Sequence, residues 1–394
     1  MSTSSTRYRF AQFRVLVLSL CVLSVLCVKA FSQDFKSVHD GVEYAELTRE
    51  ISGKQVKMNL LRLDLKKVRL DVHHAADMAV GLETTSSIAL RQGAFAAINA
   101  GFFRIDKSEY GGESAEALMI DRRLFSNSIN RRVALGISNR DRSTEVKIGH
   151  VALFFGLSDD SLHITNRLFV NAEPIPGALM VYTTEFGSMT PKNEKRQNVI
   201  VRPASRDRNR SSIEIGAVGG NTIIPKDGFV ISLEPESPVG IEILATLKKS
   251  KKLTGGPFFL VDDEEFVKHN PEDLIAGVPQ LIKNSKIDIT WEQEKASKSF
   301  VETRHPRTAV AKLKDGKFLM ITVDGRSEDS AGIDLYDLAK LLLEFGATDA
   351  MNLDGGGSTT MFLDGKVVNK PSDPTGERKV GDAILVTLRK PKRN

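Results

Sequence analysis

The stretch Met351-Asn-Leu-Asp-Gly-Gly-Gly-Ser-Thr-Thr-Met361 decides how the C-terminal half of the chain is read. Residues 350–353 are a short apolar run of strand length, and Asp354 stands where that run stops. Gly355, Gly356 and Gly357 then free the backbone and leave it bare. Ser358, Thr359 and Thr360 add hydroxyl donors. Successive amides in such a turn can form a nest for an anion. A tight turn needs one glycine, so three before a hydroxyl run point to a binding role. The stretch is not a nucleotide loop. No Gly-Lys-Ser/Thr follows the glycines, and no helical pattern opens after them.

The flanking sequence reads as strands with one clear helix. Residues 308–311 and 318–323 are strands joined by the hairpin turn Lys314-Asp-Gly-Lys317. Ser330 or Asp334 can cap a helix over about 333–345. Leu335, Leu338, Leu341, Leu342 and Phe345 share one face of it, and Gly346 is its stop. Asp364-Gly365 turns a second hairpin, and 382–388 closes the sheet. Toward the N-terminus, residues 42–75 alternate apolar and polar positions, as half-buried strands do. A short amphipathic stretch follows at 86–92. Residues 94–100 show no polar alternation and read as a strand buried on both faces. From 131 to 265 short strands alternate with turn signals such as Ile224-Pro-Lys-Asp-Gly228. The expected class is α+β: a strand-rich mixed-sheet domain with few helices. The expected organisation is a signal peptide over 1–32, a strand-rich N-terminal extension over 33–90 and a catalytic domain over 91–390.

The signal peptide rests on three features. Arg7, Arg9 and Arg14 precede an apolar run over 15–28, and Ala30-Phe31-Ser32 offers small residues for a peptidase. The run is shorter than the ~20 residues a spanning helix needs. The mature chain is therefore expected to be secreted or periplasmic, with no stable membrane span. Leu26 before Cys27 argues against a lipid anchor. Cys21 and Cys27, the two cysteines, both lie in the segment to be removed. That excludes disulfides, thiol nucleophiles and Cys-ligated zinc in the mature chain. Four of the 55 basic residues and none of the 50 acidic ones leave with the signal, so the mature net charge is about +1. The basic runs at 202–210 and 248–252 read as solvated loops, and no nucleic-acid partner is expected.

Four further constellations carry chemistry. In Arg304-His-Pro-Arg-Thr-Ala309, Arg307 stands at a strand mouth, where a guanidinium can grip phosphate in bidentate fashion. The plainer reading is a surface arginine, and His305 before proline is more often a turn residue than an acid. Val323-Asp-Gly-Arg326 ends another strand in Asp324 and adds Arg326. Asn99-Ala-Gly-Phe-Phe103 offers an amide, bare backbone at Gly101, and Phe102 and Phe103 as a sugar platform or as plain core. Thr254-Gly-Gly-Pro-Phe-Phe-Leu260 places a glycine pair, with Gly256, at a strand entry. Histidines are scattered apart from His73-His74, which point to opposite faces of a strand. Zinc and haem patterns are absent, and there is no Gly-x-Ser-x-Gly elbow.

Taken in order, Asn99–Phe103, Gly255–Phe258, His305–Ala309, Val323–Arg326, Asn352–Ser358 and Gly381-Asp-Ala-Ile384 resemble the bacterial phosphodiester glycosidases over roughly residues 90–390. That resemblance implies hydrolysis of the bond between a sugar anomeric carbon and a bridging phosphate. The substrate would be an N-acetylglucosamine-1-phosphodiester or a similar unit of a glycan or cell-envelope polymer. Asp354 and Asp324 are then expected in the carboxylate roles and Arg307 on the phosphate. Ser358, Thr359 and the amides of Gly355, Gly356 and Gly357 would bind phosphate. Asn99 and Thr308 would orient the sugar, with Gly101, Phe102, Gly256 and Arg326 also on the substrate. No cofactor is expected. Two other readings stay open: a non-catalytic carbohydrate-binding or exopolysaccharide-assembly protein, and a phosphodiesterase with Ca²⁺ or Mg²⁺ held by Asp324, Asp354 and Asp382.

Overall fold

The computed structural model describes residues 35–389, apart from 159–162, 165–167, 205–206, 251–252 and 262–263. The signal peptide expected over 1–32 lies outside the described residues. Strands dominate. An eight-stranded, wholly antiparallel sheet runs Lys36–His39, Val42–Ile51, Lys54–Leu63, Phe318–Val323, Arg307–Leu313, Ala347–Asn352, Gln280–Lys283 and Lys286–Ile287. A five-stranded antiparallel sheet places Ala96–Asn99 between Met361–Leu363 and Asp382–Leu388, with Val68–His74 outside the latter. These two sheets enclose a common core that includes Leu61, Leu70, Ile98, Val310, Met320, Met351 and Ile384. A second region holds a seven-stranded antiparallel sheet and a five-stranded sheet. The latter contains the one parallel pair among the described strands, Leu168–Val170 with Leu179–Tyr182.

The helix Leu335–Glu344 covers the outer face of the eight-stranded sheet. Asp334 caps it by accepting the Asp337 amide, and Gly346 at φ +87° ends it in the left-handed region. Leu335, Leu338, Leu341 and Leu342 are buried against Ala309, Ala311 and Ile321. Each such side chain contributes roughly 1.5–3 kcal/mol by leaving water. Residues 96–99 are buried throughout, as a strand without polar alternation demands. The segment 33–90, set apart in the sequence as an extension, completes the sheets. Lys54–Leu63 pairs with Phe318–Val323, and Val68–His74 pairs with Asp382–Leu388 over seven positions. Sequence periodicity reveals strands, but the partner of a strand 250 or more residues away leaves no local signal.

Candidate active site

Asp354 emerges where three chain segments meet. Its amide donates to Ala100 O at 2.9 Å, and the Ala100 amide donates to Asp382 O at 3.2 Å. The Gly355 amide donates to Asp354 Oδ1 at 2.9 Å. Burial raises the Asp354 carboxyl to about 6, against the pull of the Ser358 hydroxyl, the Gly355 amide and the Arg378 charge. The residue still keeps part of its surface open. Asp382 lies behind it with no exposed surface. The Gly101 amide donates to its Oδ1 at 2.6 Å, while its Oδ2 has no hydrogen-bond partner among the described residues. Burial raises Asp382 to about 7, and the neighbouring Asp354 charge adds to the rise. Asp354 ionises first, and its charge then holds the proton on Asp382. Burial raises both carboxyls, and the charge on Asp354 disfavours a second charge on Asp382.

The three glycines meet three different needs. A Cβ on Gly355 would sit 2.7 Å from Pro306 O, so that position passes tightly against the Pro306–Arg307 backbone. Gly356 is left-handed at φ +60°, and a Cβ there would reach to 3.0 Å from an Arg326 nitrogen. Gly357 lies directly under the Arg378–Asp373 ion pair, whose two hydrogen bonds measure 2.7 and 2.9 Å. The expected amide nest differs from what is found. The Gly355 amide serves Asp354, the Gly356 amide serves Pro306 O, and those of Ser358 and Thr359 serve Gly355 O and Gly356 O. The glycines admit side chains from outside the turn; these four amides are already engaged.

Several expected contacts prove to be frame. Arg307 is 2% exposed and donates to the Ile333, Phe300 and Thr303 carbonyls. Its guanidinium lies 4.9 Å over the Phe300 ring, and burial lowers it to about 10. It ties the strand mouth to the helix Lys298–Glu302 and is not presented to a phosphate. Asn99 is fully buried: Nδ2 donates to Asp354 O at 2.7 Å, and Oδ1 accepts from the Thr308 hydroxyl and the Thr360 amide. Asn99 and Thr308 therefore hold the Asp354 turn in place. Asp324 accepts from Asn369 Nδ2 and the Lys370 amide, which fixes the loop leading to Asp373. Phe103 is core, while Phe102 keeps some exposure and meets Phe300 edge-on at 6.1 Å.

The open polar groups are others. Arg326 is exposed, at an unusual φ of +58°, and approaches His305 Nδ1 at 3.4 Å. Burial, with Arg307 and Arg326 nearby, lowers His305, so it is neutral at pH 7 and not a ready acid. The Thr359 and Thr360 hydroxyls are buried without a hydrogen-bond partner among the described residues. Buried polar atoms of this kind call for a partner from outside. Arg378 is not among the residues the sequence singles out, and the only functional role Asp382 has there is as a metal-ligand candidate. Asp382 opens the strand Asp382–Leu388, whereas Asp354 follows the end of Ala347–Asn352. Arg378 sits in a polar loop with no pattern to mark it.

Gly256 does not join this group. It lies on Thr254–Val261 in the seven-stranded sheet and lines a separate cavity. Among the described residues, no three His, Cys, Asp or Glu are gathered closely enough to hold a metal ion. Asp324, Asp354 and Asp382 are thus not gathered into one such group.

Comparison with known proteins gives the same direction. The sequence model of the phosphodiester glycosidase family matches residues 204–387. The uncharacterized SPbeta prophage-derived protein YomE of Bacillus subtilis is 42% identical over 131 residues, 32% of this chain and 19% of that protein. The N-acetylglucosamine-1-phosphodiester alpha-N-acetylglucosaminidase of Bos taurus is 36% identical over 125 residues, 29% of this chain and 24% of that protein. The chain thus spans less than a quarter of the length of these two relatives. A hypothetical protein from Synechocystis shares the fold, with a TM-score of 0.73 over 90% of this chain and 63% of that chain, at 23% identity. The motifs from Gly255 to Ile384 fall inside residues 204–387, the span that matches the phosphodiester glycosidase family, and Asn99–Phe103 lies before it.

Proposed function

We propose that the chain is a secreted hydrolase that cleaves the bond between a sugar anomeric carbon and the phosphate of a sugar-1-phosphodiester. The placement of Asp354 carries this reading. It is a carboxyl, ionised at neutral pH, on a partly exposed residue just past a strand end, with Arg326 and Arg378 around its turn. Asp354 stabilises positive charge as it develops at the anomeric carbon. The C–O bond to phosphate breaks and its electron pair leaves with the phosphate. Water supplies the new hydroxyl. The departing phosphate monoester has a second pKa of ~6, so it needs little help from an acid. A neutral His305 is consistent with that. The exposed Arg326 guanidinium grips the phosphate, the role first given to Arg307. The substrate is a unit of a glycan or cell-envelope polymer. Release of free sugar from a panel of sugar-1-phosphodiesters tests the reading, with Asp354→Asn as the control expected to lose turnover.

A further inference from the structure

The second region of the molecule has its own cavity of about 480 Å³, within the usual size of small-ligand sites. Its floor is the glycine pair that the sequence singled out and that the Asp354 site does not use. Gly255 is explained by packing, since a Cβ there would press to 2.8 Å on both Phe155 and Phe229. Those rings meet edge to face at 5.4 Å. Gly256 has no such explanation. Its φ is not left-handed, and a Cβ there would meet nothing within 4 Å. It stands opposite Gly156 across the sheet, so two facing strand positions carry no side chain. A glycine inside a strand costs stability, commonly in exchange for close approach by something else. None of the described residues makes that approach.

The walls state the chemistry. Arg122, Arg123, Arg202 and Lys226 line the cavity against two acids, Glu185 and Asp227. Arg123 is bridged to Glu185 at 3.0 Å. Among the described residues, no acid pairs with Arg202 or Lys226. The hydroxyl residues Thr183 and Thr184 and the half-buried Phe229 ring complete the wall. Bare backbone, an aromatic edge, hydroxyls and surplus positive charge suit a sugar ring that bears an anionic group.

We infer that this cavity is a second glycan site, which takes an anionic sugar unit carrying a carboxylate or a phosphate and is separate from the Asp354 centre. Its residues are distinct, so it stands whether or not the chain is a hydrolase.

The test is calorimetric titration of the full chain bearing Asp354→Asn, which removes turnover and isolates binding. The probes are trigalacturonate, glucose 6-phosphate, neutral galactotriose and inorganic phosphate. Either anionic sugar should bind, and which one binds identifies the source of the charge. Neutral galactotriose and bare phosphate should bind at least about fivefold more weakly. The double change Arg202→Ala/Lys226→Ala should weaken the anionic sugar by roughly fivefold and flatten its salt dependence. Gly256→Val, whose Cβ would enter open space, should abolish binding with an unchanged melting temperature. Equal binding of neutral and anionic sugars, or unchanged affinity in both variants, would overturn the inference.

Discussion

Replacing Asp382 with Asn separates a buried charge from a buried shape. The carboxyl has no exposed surface, and its affinity for a proton is raised from 3.8 to about 7. A raised carboxyl penalises the folded state. The penalty begins as pH rises past the unfolded value and is complete once pH passes the folded one. It is therefore absent below about pH 4 and, by pH 8, approaches about 4 kcal/mol as an upper bound. Asparagine keeps the acceptor for the Gly101 amide, which now spans 2.6 Å. It also places an NH₂ where Oδ2 has no partner, at a cost of about 1–3 kcal/mol that does not vary with pH. Comparing urea unfolding of the two proteins at pH 4 and pH 8 removes that constant. The stability of Asp382→Asn relative to the parent should improve by about 2–4 kcal/mol between the two pH values. Differences that stay equal within about 0.5 kcal/mol would show that Asp382 is not held protonated, and the paired-carboxyl account would fail.

Turnover per unit of free enzyme should rise as Asp354 ionises near 6 and fall as Asp382 ionises near 7, because a second negative charge repels the phosphate. A rate–pH profile of kcat/KM checks this, and Asp382→Asn should lose the alkaline fall. Arg326→Ala should raise KM by about tenfold with little change in melting temperature, whereas Arg307→Ala should lower the melting temperature by removing the guanidinium that three carbonyls share. Steady-state kinetics paired with thermal melts distinguish these two outcomes. Asn99→Ala strips partners from Thr308, Thr360 and Asp354 O, and should cost about 3 kcal/mol in chemical denaturation.

The strands, the helix Leu335–Glu344 and the turn after Asp354 were legible because period, caps and glycines act locally. The divisions of labour within the site were not. Arg307 and Arg326 both follow strand-end signals, yet the register of Arg307–Leu313 against Phe318–Val323 buries one and leaves the other in solvent. Asn99 reads as a polar residue at a strand end, but its three partners come from positions more than 200 residues away. The glycines signalled close approach correctly. What approaches them, the Pro306 backbone, Arg326 and the Arg378–Asp373 pair, only the fold reveals. Gly256 was grouped with the same site by motif alone, and the sheet topology carries it elsewhere.

The central claim is that Asp354 serves cleavage at the anomeric carbon. Hydrolysis of an N-acetylglucosamine-1-phosphodiester in heavy-oxygen water tests it directly, with the parent chain and Asp354→Asn side by side. The account predicts label on the released sugar and none on the phosphate, with turnover lost in the variant by at least about a hundredfold. Label in the phosphate, or undiminished turnover in Asp354→Asn, would contradict it.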